Sequence, residues 1–112
     1  MVTTEADLDK IIAHFIELLS RTVRVEAIIL FGSYVNGSAD EWSDIDIAVI
    51  SPDFEGMPMW ERQRMISRAT VDRNASLSPI GYPSSEYHNP GRHSFLREII
   101  RTGRVVYEAP RE

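Results

Sequence analysis

Apolar residues along the chain alternate between helical spacing and short extended runs. Ile11, Ile12, Phe15, Ile16, Leu18 and Leu19 share one face at helical period, which predicts a helix from about Thr4 to Ser20. Thr4 with Asp7 three residues on is placed like a capping pair at its start. The near-continuous apolar run from Val25 to Phe31 reads as a strand buried on both faces. A second run, Asp44 to Ile50, sends Ile45, Ile47 and Val49 to one face, while Ala48 and Ile50 share the other with the carboxylates. Between the runs, Gly32 to Ser43 reads as a short helix followed by a polar loop.

The second half is less regular. Ser51 to Pro58 is a connection, and Met59 to about Val71 is a helix with sparse apolar positions. A third strand is expected at Ala75 to Ile80, with Gly81 to Ser85 a loop by composition. Phe95, Leu96, Ile99 and Ile100 place a helix at Ser94 to Thr102, ended by Gly103 in the left-handed capping role. A short strand at Val105 to Tyr107 closes the chain. The expected fold class is α/β: a small mixed β-sheet with helices packed against it, in one domain spanning residues 1–112.

The chemistry concentrates between Leu30 and Ile50. Asp44 and Asp46 are two apart at the start of a strand, so their carboxylates project to the same side and repel each other. A divalent cation reverses that penalty, since Mg²⁺ takes one or two carboxylates plus substrate phosphate oxygens. Gly32 at the strand exit lets the backbone bend and a ligand approach closely. Ser33, opening a short helix, adds a hydroxyl and free N–H groups suited to an anion. A phosphate cradle beside a metal-holding carboxylate pair is the minimum needed to orient a nucleoside triphosphate. The bland alternative is a Gly-Ser turn followed by a solvated Asp-x-Asp edge; finding both halves in order, each tied to a strand, favours the site.

Gly32-Ser33, ten intervening residues, then Asp44-Ile45-Asp46 resembles the signature of the nucleotidyltransferase superfamily that includes DNA polymerase beta. The short length resembles its minimal nucleotidyltransferase branch, often encoded beside a helical HEPN-domain partner in toxin–antitoxin pairs. The resemblance implies a sheet like the catalytic palm of those enzymes. It also implies transfer of a nucleoside monophosphate from a triphosphate, ATP first, to an acceptor hydroxyl. By it, Gly32 and Ser33 hold the nucleotide phosphates, and Asp44 and Asp46 hold the catalytic Mg²⁺ or Mn²⁺. Two departures stand out. Many relatives carry Arg where this chain has Asn36. The family also places a third carboxylate on a later strand, where this chain has Ser76 and Ser78; Asp72 and Glu86 are the nearest acids. That gap supports the alternative of a catalytically impaired nucleotide- and partner-binding module of the antitoxin type.

Composition narrows the partners. A net charge of −5 with scattered basic residues argues against extended duplex nucleic-acid binding. No apolar run approaches a membrane span and no signal peptide is visible, so a cytoplasmic location is expected. The absence of Cys excludes thiolate catalysis and Cys-ligated zinc. Met57, Met59 and Trp60 cluster beside a Pro-containing loop as core or as a partner surface. A homo-oligomer or a complex with a helical partner is expected. Trp42 is read as a lid over the base of the polar loop, with stacking on a nucleotide base as its other role.

Overall fold

The structure, a computed structural model, describes residues 4–69 and 76–110. Its elements run α1 (Glu5–Leu19), β1 (Ala27–Phe31), α2 (Ser33–Asn36), β2 (Ile45–Ser51), a 3₁₀ turn (Pro52–Phe54), α3 (Met59–Ala69), β3 (Leu77–Pro83), α4 (Ser84–His88), α5 (Phe95–Thr102) and β4 (Arg104–Glu108). The described strands form one mixed sheet in the order β3-β2-β1-β4. β1 is antiparallel to both β2 and β4, while β2 and β3 run parallel with α3 as their crossover.

Both faces of the central strands are covered, which is why β1 and β2 read as apolar throughout. On one face Ile28, Leu30, Ile45, Ile47 and Val49 pack with Leu8, Ile12, Phe15 and Leu19 of α1 and Ile66 of α3. On the other, Ala27, Ile29, Ala48 and Ile50 meet Tyr82 of β3 and Leu96 and Ile99 of α5. Thr4 caps α1 as its spacing suggested, its hydroxyl accepting from the Asp7 N–H at 3.2 Å. Among the described residues no helix is long and apolar enough to cross a membrane.

The outer edge of β3 is closed by a side chain. The Gln63 amide of α3 donates to the Pro79 carbonyl (2.8 Å) and accepts from the Gly81 N–H (3.0 Å), so it stands in for a neighbouring strand.

Two sequence expectations change here. Gly81 to Pro83 is strand rather than loop, because the parallel register continues through Gly81↔Val49, Tyr82↔Ile50 and Pro83↔Ser51 and buries all three. Ser84 and Ser85 then open α4. α5 starts where the apolar spacing put it, with Ser94 as its cap. Gly103 does end α5, but its φ is −87°, outside the left-handed region. Glycine is required there by contact: a Cβ would lie 2.5 Å from the Ile99 carbonyl oxygen and 2.7 Å from that of Leu30. Gly103→Ala is therefore expected to destabilise the fold by about 1–3 kcal/mol through overpacking against backbone. Urea unfolding with an unchanged m-value would read it.

Candidate active site

The site lies where β1 ends and β2 begins. Phe31, the last residue of β1, pairs with Asp46, and the chain then turns at Gly32 into α2. Gly32 has φ +78°, a conformation open to glycine but strained for other residues. A Cβ there would overlap Oδ2 of Asp46 and sit 3.3 Å from its Cγ. The turn thus passes directly against the carboxylate, and only a residue without a side chain allows that approach.

The first N–H groups of α2 have no acceptors within the helix. Ser33 and Tyr34 carry them, at the same end of the sheet as Asp46. Asn36 does not leave a vacant position in the turn: its side-chain oxygen accepts from the Ser38 N–H (3.0 Å) and hydroxyl, closing the loop exit. Asp40 then accepts from the Trp42 N–H at 2.9 Å, and Ser43 accepts from the Asp40 N–H at 2.9 Å. These local bonds set the loop that delivers Asp44.

Asp44 stands one residue before β2 and is exposed, while Asp46 lies inside the strand and is half-buried. Burial, together with the Asp44 charge, holds the Asp46 carboxyl above the ordinary Asp value. Here the repulsion expected from the spacing appears as a physical cost. Among the described residues no group of three or more His, Asp or Glu side chains could hold a metal ion. Two adjacent carboxylates beside free N–H donors suit Mg²⁺, which binds one or two acids together with substrate phosphates.

The neighbours of Asp46 on its own face are Phe31 on one side and Ser78 on the other, the latter by parallel register with β3. Of the two serines that the family resemblance sets against a third acid, Ser78 is the one paired with Asp46, and Ser76, just before the strand, accepts from the Ile45 N–H through its carbonyl. Glu86 is excluded as a substitute. It belongs to α4, beyond the far end of β3, where its charge acts on Tyr82 beside Ile50. Asp72 lies outside the described residues. Trp42 is 84% exposed and covers nothing, so the lid role does not hold. Met57 packs on the core, whereas Met59 and Trp60 are exposed.

The family model for the polymerase beta nucleotidyltransferase domain matches residues 13–112. The chain belongs to that family. It is 31% identical over 83 residues to the Methanocaldococcus jannaschii protein named "Putative protein adenylyltransferase MJ0141", covering 71% of this chain and 77% of that one. With the similarly named MJ0604 of the same organism it shares 28% identity over 102 residues, covering 88% of this chain and 97% of the relative. A Sulfolobus solfataricus crystal structure of a "putative nucleotidyltransferase" superposes with TM-score 0.68 at 19% identity, over 89% of this chain and 79% of that one. A toxin–antitoxin crystal structure with AMP-PNP gives TM-score 0.54 at 22% identity, over 87% and 73%. The mixed sheet with packed helices is thus the fold of this nucleotidyltransferase family.

Proposed function

We propose that this chain transfers a nucleoside monophosphate, AMP first, from a triphosphate to a protein hydroxyl: the hydroxyl oxygen bonds to the α-phosphorus, the bond from that phosphorus to the β-phosphate oxygen breaks, and pyrophosphate and the hydroxyl proton leave. The observation that carries the reading is the Gly32 turn pressed against the Asp46 carboxylate, with Asp44 beside it. Gly32 and Ser33 bind the phosphates through backbone N–H groups and the Ser33 hydroxyl. Asp44 and Asp46 hold Mg²⁺ or Mn²⁺. When bound, that ion neutralises phosphate charge and lowers the barrier to in-line attack at phosphorus. This chain's residues fix the position of the phosphates and exclude alternative geometries. The names of MJ0141 and MJ0604 favour a protein acceptor, and the toxin–antitoxin neighbour favours a partner protein; a helical HEPN-type chain as that partner rests on the sequence resemblance to the minimal nucleotidyltransferase branch alone.

Nucleotide binding should require the metal, because the unneutralised carboxylate pair repels a triphosphate. Calorimetry with ATP is expected to give a clear binding isotherm in Mg²⁺ and none in excess chelator. Equal affinity in both would remove the metal from the site.

A second reading has its own observation. Ser78 offers a hydroxyl beside Asp46 where a carboxylate would accept the proton of the attacking hydroxyl. A chain without that acid binds nucleotide and partner but turns over slowly, as an antitoxin-like module would. Labelled-nucleotide transfer to a co-purified partner separates the two readings.

A further inference from the structure

Two aromatic rings on the Asp46 side of the sheet take no part in the chemistry above. Phe31 leaves the same face as Asp46, directly across from it in the antiparallel register. Phe95, the first residue of α5, meets Phe31 edge-to-face, with ring centroids 5.8 Å apart and planes at 83°. The helix beneath Phe95 is well anchored. Leu96 and Ile99 are buried with Ile29, Ala48 and Ile50, and the Ser94 hydroxyl caps the first turn by accepting from the Arg97 N–H. Yet Phe95 remains 58% exposed. The helix therefore packs through other residues and holds this ring in the open, braced on one edge by Phe31.

The position of the pair gives the ring its meaning. Phe31 is joined covalently to the Gly32-Ser33 turn and pairs with Asp46. The aromatic wall thus continues the proposed phosphate and metal site on one side of Asp46. Ser78 flanks the other side, where an acceptor hydroxyl is expected. A nucleoside triphosphate anchored by its phosphates carries one large flat apolar group, its base, and a half-open phenyl ring next to the phosphate site matches that group. A polyphosphate without a base would gain nothing from the ring.

We propose that Phe95, braced by Phe31, stacks against the nucleobase of the bound triphosphate. The proposal rests on the nucleotide-binding reading of the site. Stacking tolerates any base, since every base presents a π-face, so the wall adds affinity with little choice among nucleotides.

The test compares ATP with inorganic triphosphate, both in Mg²⁺, by calorimetry on the full chain. Phe95→Ala is expected to weaken ATP binding roughly 5- to 150-fold, the range of one lost base–aromatic stack, and to leave inorganic triphosphate unchanged. Phe95→Trp should restore ATP affinity. In a Trp42→Phe, Trp60→Phe background its fluorescence should respond to ATP and not to inorganic triphosphate. A Phe95→Ala chain that binds ATP like wild type, or that loses both ligands equally, overturns the stacking. Loss of ATP affinity in Trp42→Ala but not in Phe95→Ala would move the base to the loop and overturn it as well. Wild-type protein that binds neither ligand overturns the nucleotide reading, and the stacking falls with it.

Discussion

Asp46→Asn is expected to abolish nucleotidyl transfer while making the folded chain more stable. The two effects share a cause. Asp46 is half-buried beside Asp44, and burial followed by that neighbouring charge raises its pKa. A raised carboxyl pKa means that the native state holds its proton more tightly than the unfolded chain. Stability is then lost as pH climbs from the ordinary Asp value through the raised one, and the penalty is present in full at neutral pH. Asparagine removes the charge and the penalty together. Solvent reaches the pair, so the gain is modest, about 0.5–1 kcal/mol, or roughly 2–6 °C in Tm. The advantage of the variant over wild type should shrink as the pH approaches the acid range, because wild-type Asp46 is then protonated. That difference must be read variant against wild type, since other carboxylates also titrate there. Transfer should fall at least ~10³-fold, since removing several kcal/mol of charge stabilisation costs tenfold per ~1.4 kcal/mol. A variant that keeps its activity, or that melts below wild type at neutral pH, would show that Asp46 is structural rather than a metal ligand.

The second large effect runs in the opposite direction. Ser78→Asp should raise transfer by ~10²–10⁴-fold, the usual contribution of a positioned general base. Parallel register sets Ser78 beside Asp46 on the neighbouring strand, about 4.8 Å away across the ladder, and Ser78 is exposed, so a carboxylate fits without a new burial cost. Burial and then the Asp44 charge already raise the Asp46 pKa, and without metal the added charge worsens the second of these, so Tm should drop in chelator and recover in Mg²⁺. Combining Ser78→Asp with Asp46→Asn should leave the protein inactive, because a base without its metal ligand has nothing to act on. Labelled nucleotide transferred to a partner protein, or to water, measures both. If wild type is already fast and Ser78→Asp adds nothing, another group completes the site; Asp72 is the acid nearest in sequence, whereas Glu86 is ruled out by its place at the far end of β3.

Several features were legible because local chemistry alone decides them. The periodicity of α1, its Thr4 cap, and the apolar runs of β1 and β2 follow from spacing that only one secondary structure satisfies. The Ser94 start of α5 is legible for the same reason. The two-residue spacing of Asp44 and Asp46 implied mutual repulsion without any knowledge of the fold; the raised Asp46 pKa owes more to burial, which the fold decides, and carries that repulsion as its second cause. Gly32 was marked by its place at a strand exit.

Other features were decided only when strands met. Gly81 to Pro83 look like a turn by composition, yet the parallel ladder to Val49, Ile50 and Ser51 makes them a buried strand, because backbone pairing outweighs local preference. Gly103 was read as a left-handed cap, whereas its requirement comes from Leu30 and Ile99 carbonyl oxygens, one of them more than seventy residues away. The reason for Gly32 has the same character: positive φ is a local property, but contact with Asp46 is a property of the fold. Trp42 carries an apolar side chain that composition assigns to packing, and only the tertiary structure leaves it uncovered. Most consequentially, the sequence placed two serines on the third strand without saying which one faces the carboxylates. Register chose Ser78, because a strand's side-chain alternation is local while its alignment with a neighbour is set by the whole sheet.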